Sequence, residues 1–298
     1  MNSVDSPTLA NRFIDLIKVL VYICLCFITS FVCAPLLGYL YTHLPSKELY
    51  FFAVATFDCG LAMLLMFLFG RCFDKKSFLS YGFSGCTAGG AVREVLVGAL
   101  VAALMVSTVM LILFLSGSYK VSSLAWSNDL ITYLPFLLMA AMREEVIFRG
   151  YVLQTLQKSF GSIWAIVISS LLFGFLHLLN FDSKVSLLAQ LYSCLCLSID
   201  AGLVFAVAYY VKKRLWFPFG LHVTWNIFEG PVYGTFVSSL TLGKPLVTGQ
   251  LSGRTLLTGG VFGPEASLIE VAVCLLLVAL LWRRTELYGE NKPQMNES

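Results

Sequence analysis

The sequence predicts an all-α, polytopic integral membrane protein with about eight transmembrane helices around an intramembrane polar cavity, and three observations predict it. Of 298 residues, 58% are hydrophobic and only 12% are charged, and the mean hydropathy is +0.82. A soluble core of this length cannot hide so much apolar surface, so lipid must cover much of it. The apolar residues fall in runs near bilayer-spanning length, and no repeat, low-complexity tract or linker divides them, so residues 1–298 read as a single membrane domain.

The first run, 19–41, has no small-x-small cleavage site at its end and reads as a retained span rather than a signal peptide. Runs at 49–69 and 95–115 follow, then 130–156, which holds the densest charge inside any span, and then 163–179 and 186–211. The seventh, 215–240, contains Pro218 and Pro231, and the eighth is 264–282. Connections are short except for 71–94 and the Gly-rich stretch 241–263. Pro264 and Glu265 suit the first turn of the eighth helix, one by its fixed φ and the other by the helix dipole. The six glycines within 242–265 leave a flexible flap over the site as the functional expectation.

Lysine and arginine placement orients these spans. Thirteen such residues lie in the two tails and the loops after the second, fourth and sixth spans, against five in the alternate loops, so both termini are expected to be cytoplasmic. The net charge of +3, spread over short clusters, offers no basic face for nucleic acid. The nine cysteines are odd in number and lie mostly inside apolar runs, as at Cys24, Cys26, Cys33, Cys59, Cys194, Cys196 and Cys274, where they act as small hydrophobes rather than as a disulfide framework or metal knuckle.

Two arginines, Arg143 and Arg149, fall inside the fourth run together with Glu144 and Glu145. An ionisable side chain at membrane depth costs about 2.5–3.5 kcal/mol on insertion scales, so each needs a partner or a role. On a helix Glu145 and Arg149 are four apart with the acid first, the favourable order for an ion pair, while Glu144 points about 100° away from Glu145. One carboxylate is then neutralised and the other left free to work. The alternative is a helix end whose charges snorkel to the interface. Two of the three histidines also sit within spans: His177 in Phe173-Gly-Phe-Leu-His177, and His222 in His222-Val-Thr-Trp-Asn226, where the histidine and Asn226 share a helix face. Either histidine alone reads as a structural hydrogen-bonder. Two histidines, an asparagine and a glutamate on three helices are harder to explain as packing. His43, beside Pro45, reads as solvated, and Asp58 and Asp200 as helix-to-helix hydrogen-bonders, with a supporting role in the site as the alternative.

The ordered set Glu144-Glu145-x-x-x-Arg149, Phe173-x-x-x-His177 and His222-x-x-x-Asn226 resembles the three signature motifs of the CAAX protease and bacteriocin-processing family, the type II CAAX prenyl endopeptidase-like group with an Abi domain. The resemblance covers a catalytic core at 136–228. It implies a glutamate-dependent endopeptidase in which Glu144 and His177 activate water, His222 and Asn226 stabilise the oxyanion, and Glu145, Arg149 and Phe173 support them, with no cofactor. It further implies a membrane-anchored substrate, a lipidated tail or a transmembrane or leader segment, and the chain looks like a bacterial plasma-membrane member. The residue chemistry agrees: a carboxylate desolvated among Val146, Ile147 and Phe148 is a stronger base, and an asparagine with a neighbouring histidine supplies oxyanion donors.

Three other functions use the same residues. Glu144, His177 and His222 form a two-histidine, one-carboxylate set for zinc, although HExxH is absent. Buried Glu and His also serve proton-coupled transporters and channels, although no inverted repeat is evident. A catalytically silent scaffold is the third. The depth of the histidines strains the protease reading: on straight helices His177 lies about 24 Å along the fifth span and His222 only about 12 Å along the seventh, measured from one side. Tilt, a short or re-entrant seventh helix between Pro218 and Pro231, or a different loop assignment would absorb the difference, and the prolines favour the second.

Overall fold

The computed structural model describes residues 8–181 and 184–285; Lys292, counted in the charge bias, lies outside them. Helix α1 (Leu9–Val32) starts where the Thr8 hydroxyl accepts the Asn11 amide, well before the expected residue 19. It breaks at Cys33 because Pro35 opens α2 (Ala34–His43) and brings no amide to continue the ladder. His43 therefore ends a helix, stacked on Tyr39 at 3.9 Å and exposed. Ser46 caps α3 (Lys47–Phe69), which runs into a π-helical turn, Gly70–Asp74, and Thr87 caps α4 (Ala88–Leu115).

The central motif-bearing stretch comprises α5 (Asp129–Thr132), α6 (Leu134–Glu145), a π-helical segment Val146–Val152 and α7 (Leu153–Leu176). Gly161 breaks α7 with φ 78° and ψ 168°, a conformation closed to side-chain-bearing residues, and so divides what the sequence read as the fourth and fifth spans. The next column is α8 (Leu187–Leu197), a π-helical turn Ser198–Leu203 and α9 (Val204–Lys212). Then come α10 (Trp216–Ile227), the π-helical turn Phe228–Val232, α11 (Thr255–Thr258) and α12 (Leu268–Trp282).

Among the described residues, four helical stretches are long and apolar enough to cross a membrane: Lys47–Asp74, Ala88–Leu115, Asp129–Asn180 and Leu187–Lys212, with Leu268–Trp282 shorter. The last of the four is 72% buried over its apolar window against 22–33% for the others, which puts it at the centre of the bundle. Around it, α4 turns Leu96, Leu100, Leu104 and Leu111 outward, an apolar face suited to lipid. Two glycines set a close crossing: a Cβ on Gly98 would overlap the Phe217 carbonyl, and one on Gly220 the Val95 carbonyl. Here α4 and α10 meet backbone to backbone, as small residues allow in membranes.

Three expectations need correction. The chain is not wholly α-helical: β1 (Tyr119–Leu124) pairs antiparallel with β2 (Val247–Leu251), with an irregularity between Val121 and Ser123. Neither segment can satisfy its backbone within a helix, and pairing does so across loops far apart in sequence. The seventh helix stops at Val232, short of residue 240, and the stretch 241–263 carries β2 and α11. Pro264 and Glu265 lie in a separate 3-10 turn, Pro264–Ala266; α12 is instead capped by Ser267, whose hydroxyl accepts the Glu270 amide.

Candidate active site

Beyond the end of α6 the buried Glu145 carboxylate meets Arg149, Nη1 to Oε1 3.1 Å, within the π-helical segment. Both side chains are almost fully shielded. Arg149 Nη2 also donates to the carbonyls of Ala201 (3.0 Å) and Gly202 (3.1 Å) in the π-helical turn opposite, and its guanidinium lies over Phe173 (4.7 Å) and Phe205 (5.1 Å). A buried cation needs such a surround: one anion, two carbonyl dipoles and two ring faces. Gly202 lets this turn pack closely on α7, since a Cβ there would press on Ser170.

The same Oε1 of Glu145 has a second partner, His222 Nδ1 at 2.9 Å. A carboxylate already holding an arginine only accepts, so Nδ1 carries the proton. The other ring nitrogen, Nε2, lies 3.7 Å from Glu144 Oε2. His222 is thus clamped between the two carboxylates, and Phe205 stacks on its ring at 4.5 Å and 24°. His177, at the end of α7, has its Nδ1 2.9 Å from the Phe173 carbonyl. A carbonyl cannot donate, so this proton is also on Nδ1, and Nε2 of the neutral ring is a free lone pair. Phe173 lies between the histidines, 5.0 Å from one ring and 6.3 Å from the other.

Glu144, His177, His222 and Asn226 line one cavity of about 220 Å³, with Phe173 on its wall. Glu144 keeps 24% of its side chain exposed, whereas Glu145 has none, so the neighbouring carboxylates divide into one facing the cavity and one locked behind it. The short α10, entered at Trp216, ends the depth problem: His222 and His177 share this cavity although their helices run different lengths to reach it.

Several lining residues were not anticipated. Asp58 reaches the cavity, as the alternative reading of it allowed, and Arg143 does so from the charge cluster of the fourth run, whereas Phe205 comes from an apolar stretch that carries no local signal. Ser238 and Glu265 do so from the last loop. There Val237 and Leu240 bridge a tight turn whose central residues, Ser238 (φ 48°) and Ser239 (φ 72°), are both left-handed. Glu265 Oε2 takes the Ser238 amide (2.6 Å) and hydroxyl (3.0 Å), and Asn180 donates to the Ser238 carbonyl (3.4 Å). The turn is a strap tied to the His177 segment on one side and to the approach of α12 on the other. Asp200 does not make the expected interhelical hydrogen bond; both its oxygens are buried without a partner among the described residues.

For zinc, the required set is Glu144, His177 and His222. Among the described residues no three His, Cys, Asp or Glu side chains group so as to hold a metal ion.

Residues 125–228 match the family described as type II CAAX prenyl endopeptidase Rce1-like. The matched stretch contains Glu144, His177, His222 and Asn226, begins before the expected residue 136 and ends at the same residue 228. No curated protein and no solved structure matches the chain.

Proposed function

We propose that the chain is an intramembrane endopeptidase of the CAAX type, spanning the bilayer about eight times with both termini cytoplasmic, in a bacterial plasma membrane. The observation that carries the proposal is the clamp on His222: Nδ1 on Glu145 at 2.9 Å, Nε2 3.7 Å from Glu144, on the wall of a cavity that also receives His177 and Asn226. A structural histidine needs one partner. This one is held so that its second nitrogen meets the only partly exposed carboxylate of the pair.

In the reaction a water lies between Glu144 and the lone pair of His177 Nε2. Glu144 takes its proton, the oxygen bonds to the substrate carbonyl carbon, and charge develops on the carbonyl oxygen. The Asn226 amide donates to that oxyanion, and His222, carrying a proton on each ring nitrogen, does so from Nε2. The C–N bond then breaks, and the proton held by Glu144 passes to the departing amine. Glu145 and Arg149 fix the His222 tautomer and ring without touching the substrate, and no metal takes part.

The substrate class follows from where the water is. A hydrolytic site in the bilayer suits a peptide that itself partitions there, a lipidated tail or a transmembrane or leader segment. The test is cleavage of one reporter peptide, with and without a lipid or helical anchor, by purified protein in bilayer nanodiscs. Cleavage lost in Glu144→Ala, insensitive to chelators and faster for the anchored form is expected. Equal rates would refute the substrate class, chelator inhibition reversed by zinc would hand the chemistry to a metal, and proton-coupled flux without cleavage would mean a transporter.

A further inference from the structure

At the end of α3, away from the protease cavity, the chain builds a second pocket of about 740 Å³ lined by Phe67, Arg71, Lys75, Lys76, Ser77 and Phe78. Its size lies within the range of small-ligand sites. Three of six lining residues are cations, and none has a carboxylate partner among the described residues. The nearby acid is already taken: Asp74 accepts from Lys158 (2.9 Å), Lys18 (3.3 Å) and the Tyr81 hydroxyl (3.0 Å). Lys76 is the most constrained of the three. It is half-buried, 3.4 Å from Gln154 Oε1 and 5.1 Å over the Tyr81 ring. Burial and the neighbouring Lys158 hold its ammonium below the usual lysine range, against a weaker opposite pull from Asp74. An anion in the pocket would relieve that.

The backbone is bent to make this arrangement. After the π-helical turn Gly70–Asp74, Lys75 takes the left-handed conformation at φ 52°, which non-glycine residues enter at a cost, and the Lys76 amide returns to the Gly70 carbonyl at 2.9 Å. Lysines 75 and 76 are thereby turned back to the mouth that Arg71 faces. The walls are aromatic, and Phe78 is braced by stacking on Phe83 at 5.0 Å. From Phe67 the exposed side chains of Leu64 and Leu68 continue along the apolar span.

We propose that this pocket binds the phosphate of an anionic phospholipid, with Arg71, Lys75 and Lys76 on the headgroup and an acyl chain along Phe67 and Leu64. Soluble phosphate shares the charge but gains nothing from the aromatic walls or the apolar track. The inference does not rest on the protease reading, since none of these residues lines the catalytic cavity.

The test titrates the purified full-length protein, in phosphatidylcholine nanodiscs, with short-chain phosphatidylglycerol, extra phosphatidylcholine or glycerol phosphate, reading bound ligand by native mass spectrometry and thermal midpoint by fluorescence. Phosphatidylglycerol is expected to bind and raise the midpoint, and the other two to do neither. Arg71→Gln, Lys75→Asn and Lys76→Gln should each weaken binding about fivefold, and together on the order of a hundredfold. Asparagine at 75 tolerates the left-handed backbone, so Lys75→Asn alone carries the test should the triple variant not fold. Lys212→Gln, in a different basic loop, should leave affinity unchanged. Equal binding of the two phospholipids, or an equal loss in Lys212→Gln, would mean diffuse surface charge and no site. Glycerol phosphate matching phosphatidylglycerol would make the ligand a soluble phosphate and overturn the lipid assignment.

Discussion

Replacing Glu145 by glutamine keeps the side chain's shape and removes its charge, and two partners feel the change. Arg149 is left as a buried cation with the Ala201 and Gly202 carbonyls and the rings of Phe148, Phe173 and Phe205 around it but no paired anion. Breaking such a pair from one side costs about 3–5 kcal/mol, a large part of the 5–15 kcal/mol that holds a typical protein together. His222 loses the anion at Nδ1, 2.9 Å away, that sets its tautomer and holds its ring. A second substitution separates the two effects. Arg149→Met in the Glu145→Gln background removes the stranded cation and leaves two carbonyls short of a donor, so stability should return to within about 1–3 kcal/mol of wild type. Cleavage should not return, because His222 still lacks its carboxylate. Unfolding in mixed micelles measures the first effect and reporter hydrolysis the second. Glu145→Gln unfolding like wild type would refute the ion-pair argument, and recovery of cleavage in the double variant would refute the role at His222.

Glu144→Gln, His177→Ala and His222→Ala should each abolish hydrolysis; for Glu144→Gln, whose carboxylate keeps 24% exposure, the thermal midpoint should hardly move, and a collapse of the fold instead would mark Glu144 as structural. Gly220→Ala forces a methyl group onto the Val95 carbonyl two residues before His222, so a loss of about 1–3 kcal/mol and a fall in kcat are expected, read by unfolding and kinetics. Ser239→Gly relieves a left-handed residue at φ 72° and should stabilise by about 1 kcal/mol, visible as a higher midpoint. Glu265→Ala removes the acceptor of two Ser238 hydrogen bonds, and faster proteolytic nicking near residue 238 would report release of the strap.

What was legible in the sequence was local. Glu145 and Arg149 meet because four residues make one helical turn, and His222 and Asn226 reach one cavity for the same reason. The pairing that ties the two motifs, Glu145 with His222, joins residues 77 apart, and no periodicity encodes it. The π-helical turns at Val146–Val152, Ser198–Leu203 and Phe228–Val232 were equally hidden, since a change of register does not alter an apolar run. Glu265 was misread for a different reason. Gly-Pro-Glu suits a helix start, and it is Ser267, capping three residues before Glu270, that sets the boundary. The β1–β2 ladder pairs two loops that each look merely polar, so only their meeting in space reveals it.

The Arg149 surround also fixes an order of events during synthesis. The carbonyls of Ala201 and Gly202 lie 52 and 53 residues downstream, so at ordinary translation rates roughly 3–10 s pass before they exist. In that interval the acids at hand for the guanidinium are those one turn earlier, Glu145 on its own face and Glu144 beside it. Glu145 is thus the escort that lets its own segment partition as a neutral pair, before the bundle centre has been made. A chain lacking it would meet the insertion machinery with a bare cation, and its first defect would be a mis-inserted segment rather than a slow enzyme.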